Sequence, residues 1–220
     1  MVLNKKLDKI YKFLTRNRRY NKSLQNLFYR ATLLPYYEKT DKVIALLFCI
    51  IYTQSQPSMD NIAKFFNSIY NKKDKLETFK NFLILLGNGA NDKTNYFQLF
   101  NLLKRHPGWG NKTAALFTKT VYHLHNGKYE SKLKIWDDAP RTIEKDDILY
   151  LPVDIVIENI FKRIKLKNPT FRKINKILQN KYNGEKIEIW DDLWFWGYFT
   201  QRVKKKKRVT LSAYIVETKN

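Results

Sequence analysis

Residues 105–117 read RHPGWGNKTAALF. Pro107 and Gly108 end whatever helix precedes them, and Gly108 or Gly110 can take the positive φ that a tight helical turn needs. From about Asn111 an apolar period resumes: Ala114, Phe117, Val121 and Leu124 fall on one stripe at about 100° per residue. Upstream, TNYFQLFNLLKR over 94–105 aligns Phe97, Phe100 and Leu103. The stretch therefore predicts two helices joined by a short Pro-Gly-x-Gly turn, a helix-hairpin-helix. Lys112 lies roughly opposite the stripe and so faces outward beside the turn.

Such a turn suits a phosphate. Glycine lets backbone come close to a ligand, the N–H groups opening the second helix lack partners, and the helix dipole attracts an anion. Gly108 and Gly110 supply the approach, and the side chains of Asn111 and Thr113 can add donors. The structural alternative is a plain helix–turn–helix corner in an α-bundle.

Around this hairpin the chain reads as helices. Residues 4–32 are charged and amphipathic, one helix or two, and Pro35 breaks the pattern. Thr40 or Asp41 can cap a helix over about 42–53, apolar nearly all round and therefore central. Another restarts near Ser58 and runs to about Tyr70, with Ile62, Phe65, Phe66 and Ile69 in phase. An apolar patch spans Phe79 to Leu86, and further helices are predicted over 154–165, 169–181 and 187–202. Residues 126–151 differ: turn residues, mixed charge and the alternation of Leu133 and Ile135 suggest an irregular segment or a small β-ribbon. The tail, 203–220, begins VKKKKR and ends β-prone in VTLSAYIV. The class is all-α with a possible small β-ribbon insertion.

The charge balance points to a partner. There are 42 Lys+Arg against 20 Asp+Glu, a formal +22. Part of that excess follows from a composition rich in Lys and Asn, yet the sign of the field stands and favours a polyanion, most often nucleic acid. The single cysteine, Cys49, rules out an intrachain disulfide and a cysteine-ligated zinc or iron–sulfur cluster. His123 and His125, two residues apart, would not share a helix face, so no histidine metal site is expected. The longest apolar run, Val43 to Tyr52, is far short of the roughly 18 residues of a membrane span. The expectation is an intracellular protein located with DNA, without a membrane partner and monomeric.

A second element lies 42 residues (154 − 112) beyond Lys112. In LPVDIVI, 151–157, Asp154 stands just ahead of a helix, where Asp is a leading N-cap. A capping carboxylate is rigidly held, which also suits chemistry.

HPGWGNKTA and LPVDI together resemble the paired motifs of the helix-hairpin-helix DNA glycosylases, the superfamily of endonuclease III and 8-oxoguanine DNA glycosylase. Looser similarities are YTQSQPSMDNIAKFF, 52–66, and DDLWFWGYFTQ, 191–201, so the resemblance covers about residues 42–202. It implies two helical subdomains with the active-site cleft between them: 42–125 as a central subdomain ending in the hairpin at 106–110, 1–41 plus 152–202 as the second, and 126–151 as an insertion. It further implies Lys112 as Schiff-base nucleophile, Asp154 as its assistant, and Gln56 as the residue filling the space of a flipped base. The carbonyls of Lys104, His106 and Trp109 would bind a monovalent cation, with no iron–sulfur cluster. The activity implied is base excision with AP-lyase cleavage of duplex DNA carrying oxidised bases, an oxidised purine such as 8-oxoguanine first.

Other readings stand beside it. Lys112 can be one phosphate contact of a non-catalytic DNA-binding hairpin. Asp154 can activate water in a monofunctional glycosylase. The aromatic set Trp190, Trp194, Phe195, Trp196 and Phe199 can be core rather than base pocket, and the whole chain can be a helical interaction protein.

Overall fold

The computed structural model describes residues 2–89, 93–182 and 184–202. The basic tail and its β-prone end, 203–220, lie outside the described residues. In chain order the helices are α1 (Val2–Leu33), α2 (Lys39–Ile51), α3 (Met59–Tyr70), α4 (Phe79–Leu86), α5 (Tyr96–Leu103), α6 (Asn111–His125), α7 (Ile155–Arg163), α8 (Phe171–Gln179), α9 (Ile187–Trp190) and α10 (Asp192–Arg202). Among the described residues there is no strand, and no helix is long and apolar enough to cross a membrane. The expected all-α class holds.

The chain divides into two compact units, one made of the residues up to Leu24 and from Val153, the other of Gln25–Pro152. Helix α1 contributes to both. Residues 25–41 and 126–151 belong to the same unit as 42–125.

The unit 25–152 is built on α2 and α6. The run VIALLFCII leaves α2 little polar surface, and Val43, Ile44, Leu46, Leu47, Ile50 and Ile51 are buried. Helix α2 starts at Lys39 with Glu38 as its N-cap residue, slightly earlier than Thr40 or Asp41 suggested. Helix α6 is buried from Thr113 to His125 apart from Leu116.

Of the two alternatives for 126–151, the irregular segment is the one formed, and no ribbon is present there. Ser131–Leu133 is a single 3-10 turn, and the alternating Leu133 and Ile135 are both buried. Trp136 is fully buried against Phe79 and Phe82, its ring centroid 5.4 and 5.2 Å from theirs, and its indole N–H donates to Leu76 O at 2.7 Å. Two acids of the segment cap distant helices. Asp138 accepts from Phe79 and Lys80 N–H at the start of α4, and buried Asp147 accepts from Tyr96 and Phe97 N–H at the start of α5. The segment closes its unit; it does not loop away from it.

His125 is the pH-sensitive point of this closure. Trp136 N–H donates to its Nε2 at 3.1 Å, so that nitrogen carries no proton, and Nδ1–H donates to Val121 O at 2.7 Å. Burial, the largest influence, holds its pKa below the ordinary histidine value. A lowered folded-state pKa makes the neutral ring's contribution complete above about pH 6.5, the unfolded value, and lost as pH falls through the lower folded value. The melting midpoint should therefore fall on acidification below about pH 6.5, and His125→Gln should flatten that dependence. Melts across pH on both proteins check it; parallel curves would remove His125 as the cause.

In the other unit, Leu7, Ile10 and Leu14 of α1 are buried, as are Ile157, Ile160 and Phe161 of α7, Ile174 and Leu178 of α8, and Trp190. Tyr11 stacks on Tyr182 at 4.6 Å, and Tyr182 lies 5.1 Å from Trp190. Glu188, 1% exposed, is paired with Arg18, and Asn21 donates to Asp192. Asp8 accepts from Lys181 Nζ and Tyr182 Oη; the Lys181 hydrogen bond is the main reason its carboxyl sits below the usual value.

Helices α7 and α10 approach closely at Gly197. A Cβ there would lie 2.6 Å from Ile160 Cδ1 and 2.8 Å from Val156 Cγ1. Val156 is β-branched and yields poorly. Overpacking costs about 1–3 kcal/mol, while Ala gains up to about 1 kcal/mol over Gly in helix propensity. Gly197→Ala is therefore expected to lower stability by about 1 kcal/mol net, read as a lower denaturant midpoint.

Candidate functional site

The segment 104–110 turns the chain from α5 to α6. Trp109 N–H donates to His106 O at 3.1 Å, closing a four-residue turn with Pro107 second and Gly108 third. Gly108 has φ +82°, the value a type II turn requires at its third residue. It also has little room for a side chain: a Cβ would sit 3.2 Å from Ile62 Cγ1 and 3.4 Å from Ile51 Cδ1. Trp109 fills the space beneath, buried against Phe65 and Phe117. His106 bonds Leu86 O through Nε2 at 3.0 Å and lies edge-on to Phe65.

Gly110 is the N-cap residue of α6 and is extended, with nothing near the position of a Cβ. Its N–H donates to Thr113 Oγ1 at 3.0 Å, while Thr113 Oγ1 donates to Gly110 O at 3.2 Å. Thr113 is 1% exposed. Its hydroxyl thus serves the hairpin internally rather than offering the outward donor expected of it. Ala114 N–H closes the first helical bond, on Gly110 O. The N–H groups of Asn111, Lys112 and Thr113 precede it and have no intrahelical acceptor. The Asn111 side chain is exposed.

Lys112, half-buried in the first turn of α6, donates from Nζ to Thr53 O at 3.1 Å. Thr53 belongs to the loop after α2, which is organised around the hairpin. Gln54 Nε2 donates to Gly108 O at 2.9 Å and to Ile51 O at 2.8 Å. Gln54 is the residue that sequence reasoning missed. Gln56, the expected space-filling residue, is exposed in the same loop. Nothing in QSQ distinguishes the two; only the fold brings one of them to the turn.

Of the carbonyls considered for a cation, that of His106 already accepts from Trp109 N–H and keeps one lone pair. Backbone carbonyls and no carboxylate suit a weakly held monovalent ion. Among the described residues no group of His, Cys, Asp and Glu forms a metal site.

Asp154 belongs to the other unit and is the N-cap of α7. Its Oδ1 accepts from Val156 N–H at 2.9 Å and Ile157 N–H at 3.1 Å. Its Oδ2 accepts from the indole N–H of Trp194 at 2.8 Å. Trp194, 43% exposed, stacks on Tyr198 at 5.1 Å. The carboxylate is thus oriented from two sides. Trp190 is core, whereas Trp194 is 43% exposed; the side chain of Phe199 lies outside the described residues.

No family model, curated protein or solved structure matches the chain.

Proposed function

We propose that the chain is a DNA glycosylase with AP-lyase activity on duplex DNA bearing oxidised bases, an oxidised purine first. The observation that carries this reading is Lys112 itself: an amine anchored at the edge of a glycine turn, in a first helical turn whose N–H groups have no intrahelical acceptor and so suit a phosphate. The formal +22 supports the polyanionic partner.

The target nucleotide must leave the stack to expose its glycosidic bond. The N–H groups of the first turn of α6 and the exposed Asn111 would then hold a neighbouring phosphate, with the exposed Gln56 available to the vacated space. A monovalent cation, implied by the resemblance, would sit on the carbonyls of Lys104, His106 and Trp109 and add positive charge there.

Lys112 reacts as the neutral amine, so its ammonium proton is lost first. The nitrogen forms a bond to C1′, the glycosidic bond breaks, and the base leaves with the electron pair and takes up a proton. Opening of the sugar ring gives the Schiff base. Loss of a C2′ proton then expels the 3′-phosphate by β-elimination, and water releases Lys112. Asp154, held by α7 and Trp194, would, as the resemblance implies, stabilise positive charge on the sugar.

The test is incision of duplexes carrying 8-oxoguanine, an oxidised pyrimidine or an abasic site. Strand cleavage supports the bifunctional reading. Base release without cleavage assigns the water-activating role to Asp154. A second reading, a non-catalytic DNA-binding hairpin, is favoured by the engagement of both Asp154 oxygens in structural bonds. It predicts salt-sensitive binding and neither product.

A further inference from the structure

Helix α1 carries a cationic feature that the hairpin reading does not use. Lys5, Lys9, Lys12, Arg16 and Arg19 are all exposed, at successive spacings of four, three, four and three residues. At about 100° per residue they fall within about 80° of arc, opposite buried Leu7, Ile10 and Leu14. At about 1.5 Å rise per residue the row is about 21 Å long.

The row is not neutralised from within. Among the described residues none of the five forms a salt bridge. Asp8, at the row's edge, is held by Lys181 at 2.7 Å and Tyr182 at 2.8 Å, and Lys12 reaches it only through space. Glu188 takes Arg18, which lies off the row. Arg19 rests over the Tyr20 ring at 5.0 Å. Like charges three and four residues apart oppose helix formation. A row of five held on one face without an ion-pair partner fits an external line of negative charge.

We propose that this face of α1 is a track for the phosphodiester backbone of duplex DNA, a second contact surface besides the hairpin. The inference rests on the DNA-binding part of the function proposed above. Each strand of duplex DNA presents a phosphate charge about every 3.4 Å of axis, a line that a row about 21 Å long can follow. An acidic membrane suits the row less well, since interfacial helices place an apolar face beside the basic one, and along the length of the row the apolar residues of α1, Leu7, Ile10, Phe13 and Leu14, are buried in their own unit.

The experiment uses the full chain and an undamaged duplex, with affinity measured across salt concentrations. The variant carries Lys5→Gln, Lys9→Gln, Lys12→Gln, Arg16→Gln and Arg19→Gln together. Each phosphate contact contributes about 0.9 to the slope of log K against log salt, so the variant's slope should be shallower by about 4. Unchanged helicity by circular dichroism is expected, since the substitutions remove repulsion. Should the fivefold variant misfold, Lys12→Glu alone should make the slope shallower by at least about 1. A variant slope equal to a steep wild-type slope overturns the track and leaves the hairpin reading intact. A flat wild-type slope overturns the DNA reading and the track together. Loss of binding to phosphatidylserine vesicles with an unchanged DNA slope assigns the row to membranes and also overturns it.

Discussion

Lys112→Gln is expected to abolish strand cleavage on lesion-bearing duplexes, by at least about a thousandfold, with DNA affinity almost intact. The magnitude follows from the role. Removing a nucleophile removes the covalent route altogether, and such losses are orders of magnitude rather than factors. Affinity should change little, because Lys112 is one cation among 42 and can supply at most one phosphate contact, about 0.9 in salt slope. The fold should survive as well. Lys112 is half-buried and its visible bond is a single donation to Thr53 O. Gel incision and affinity measured on the same protein separate the two effects. Retained cleavage would move the nucleophile elsewhere.

Asp154→Asn should reduce base excision by about 10²–10³-fold, the scale for losing one preorganised electrostatic group. Stability is expected to change by less than about 1 kcal/mol, since Asn caps a helix nearly as well as Asp and can keep the bonds to Val156 and Ile157 N–H. The two readouts therefore separate a chemical role from a cap. A stable variant with full activity would leave Asp154 as a cap alone. Trp194→Phe is the companion. It keeps an aromatic ring against Tyr198 but removes the indole N–H from Oδ2. A fall in kcat of about tenfold, roughly one hydrogen bond to a charged group, with a displaced pH–rate profile would show that the indole orients the carboxylate.

The hairpin was legible because its signals are local. Proline and glycine punctuate the turn, and apolar residues keep helical phase on both sides, so α5, the turn and α6 stand where the period puts them. The cap at Asp154 was legible for the same reason. The segment 126–151 was not. Leu133 and Ile135 alternate as a strand would, yet they are buried side chains of a segment whose bonds run to residues far away in sequence. Asp138 caps a helix 59 residues upstream and Asp147 one 51 residues upstream. No local period encodes such partners. Loop 52–58 was opaque on similar grounds: with no period to read, Gln54 and Gln56 are equivalent until the hairpin is folded beside them. Thr113 shows a third limit. Its type suggested a phosphate donor, but its place at the third position of α6 turns the hydroxyl back onto Gly110.

Borohydride trapping on duplex DNA tests the central claim most directly, because only an imine between protein and sugar is reduced to a stable adduct. Wild-type protein is predicted to give a covalent complex with duplexes carrying 8-oxoguanine or an abasic site. Peptide mapping should place the sugar on Lys112, and Lys112→Gln should give no adduct. Absence of any adduct with the wild-type protein, while salt-sensitive DNA binding persists, would contradict the lyase account.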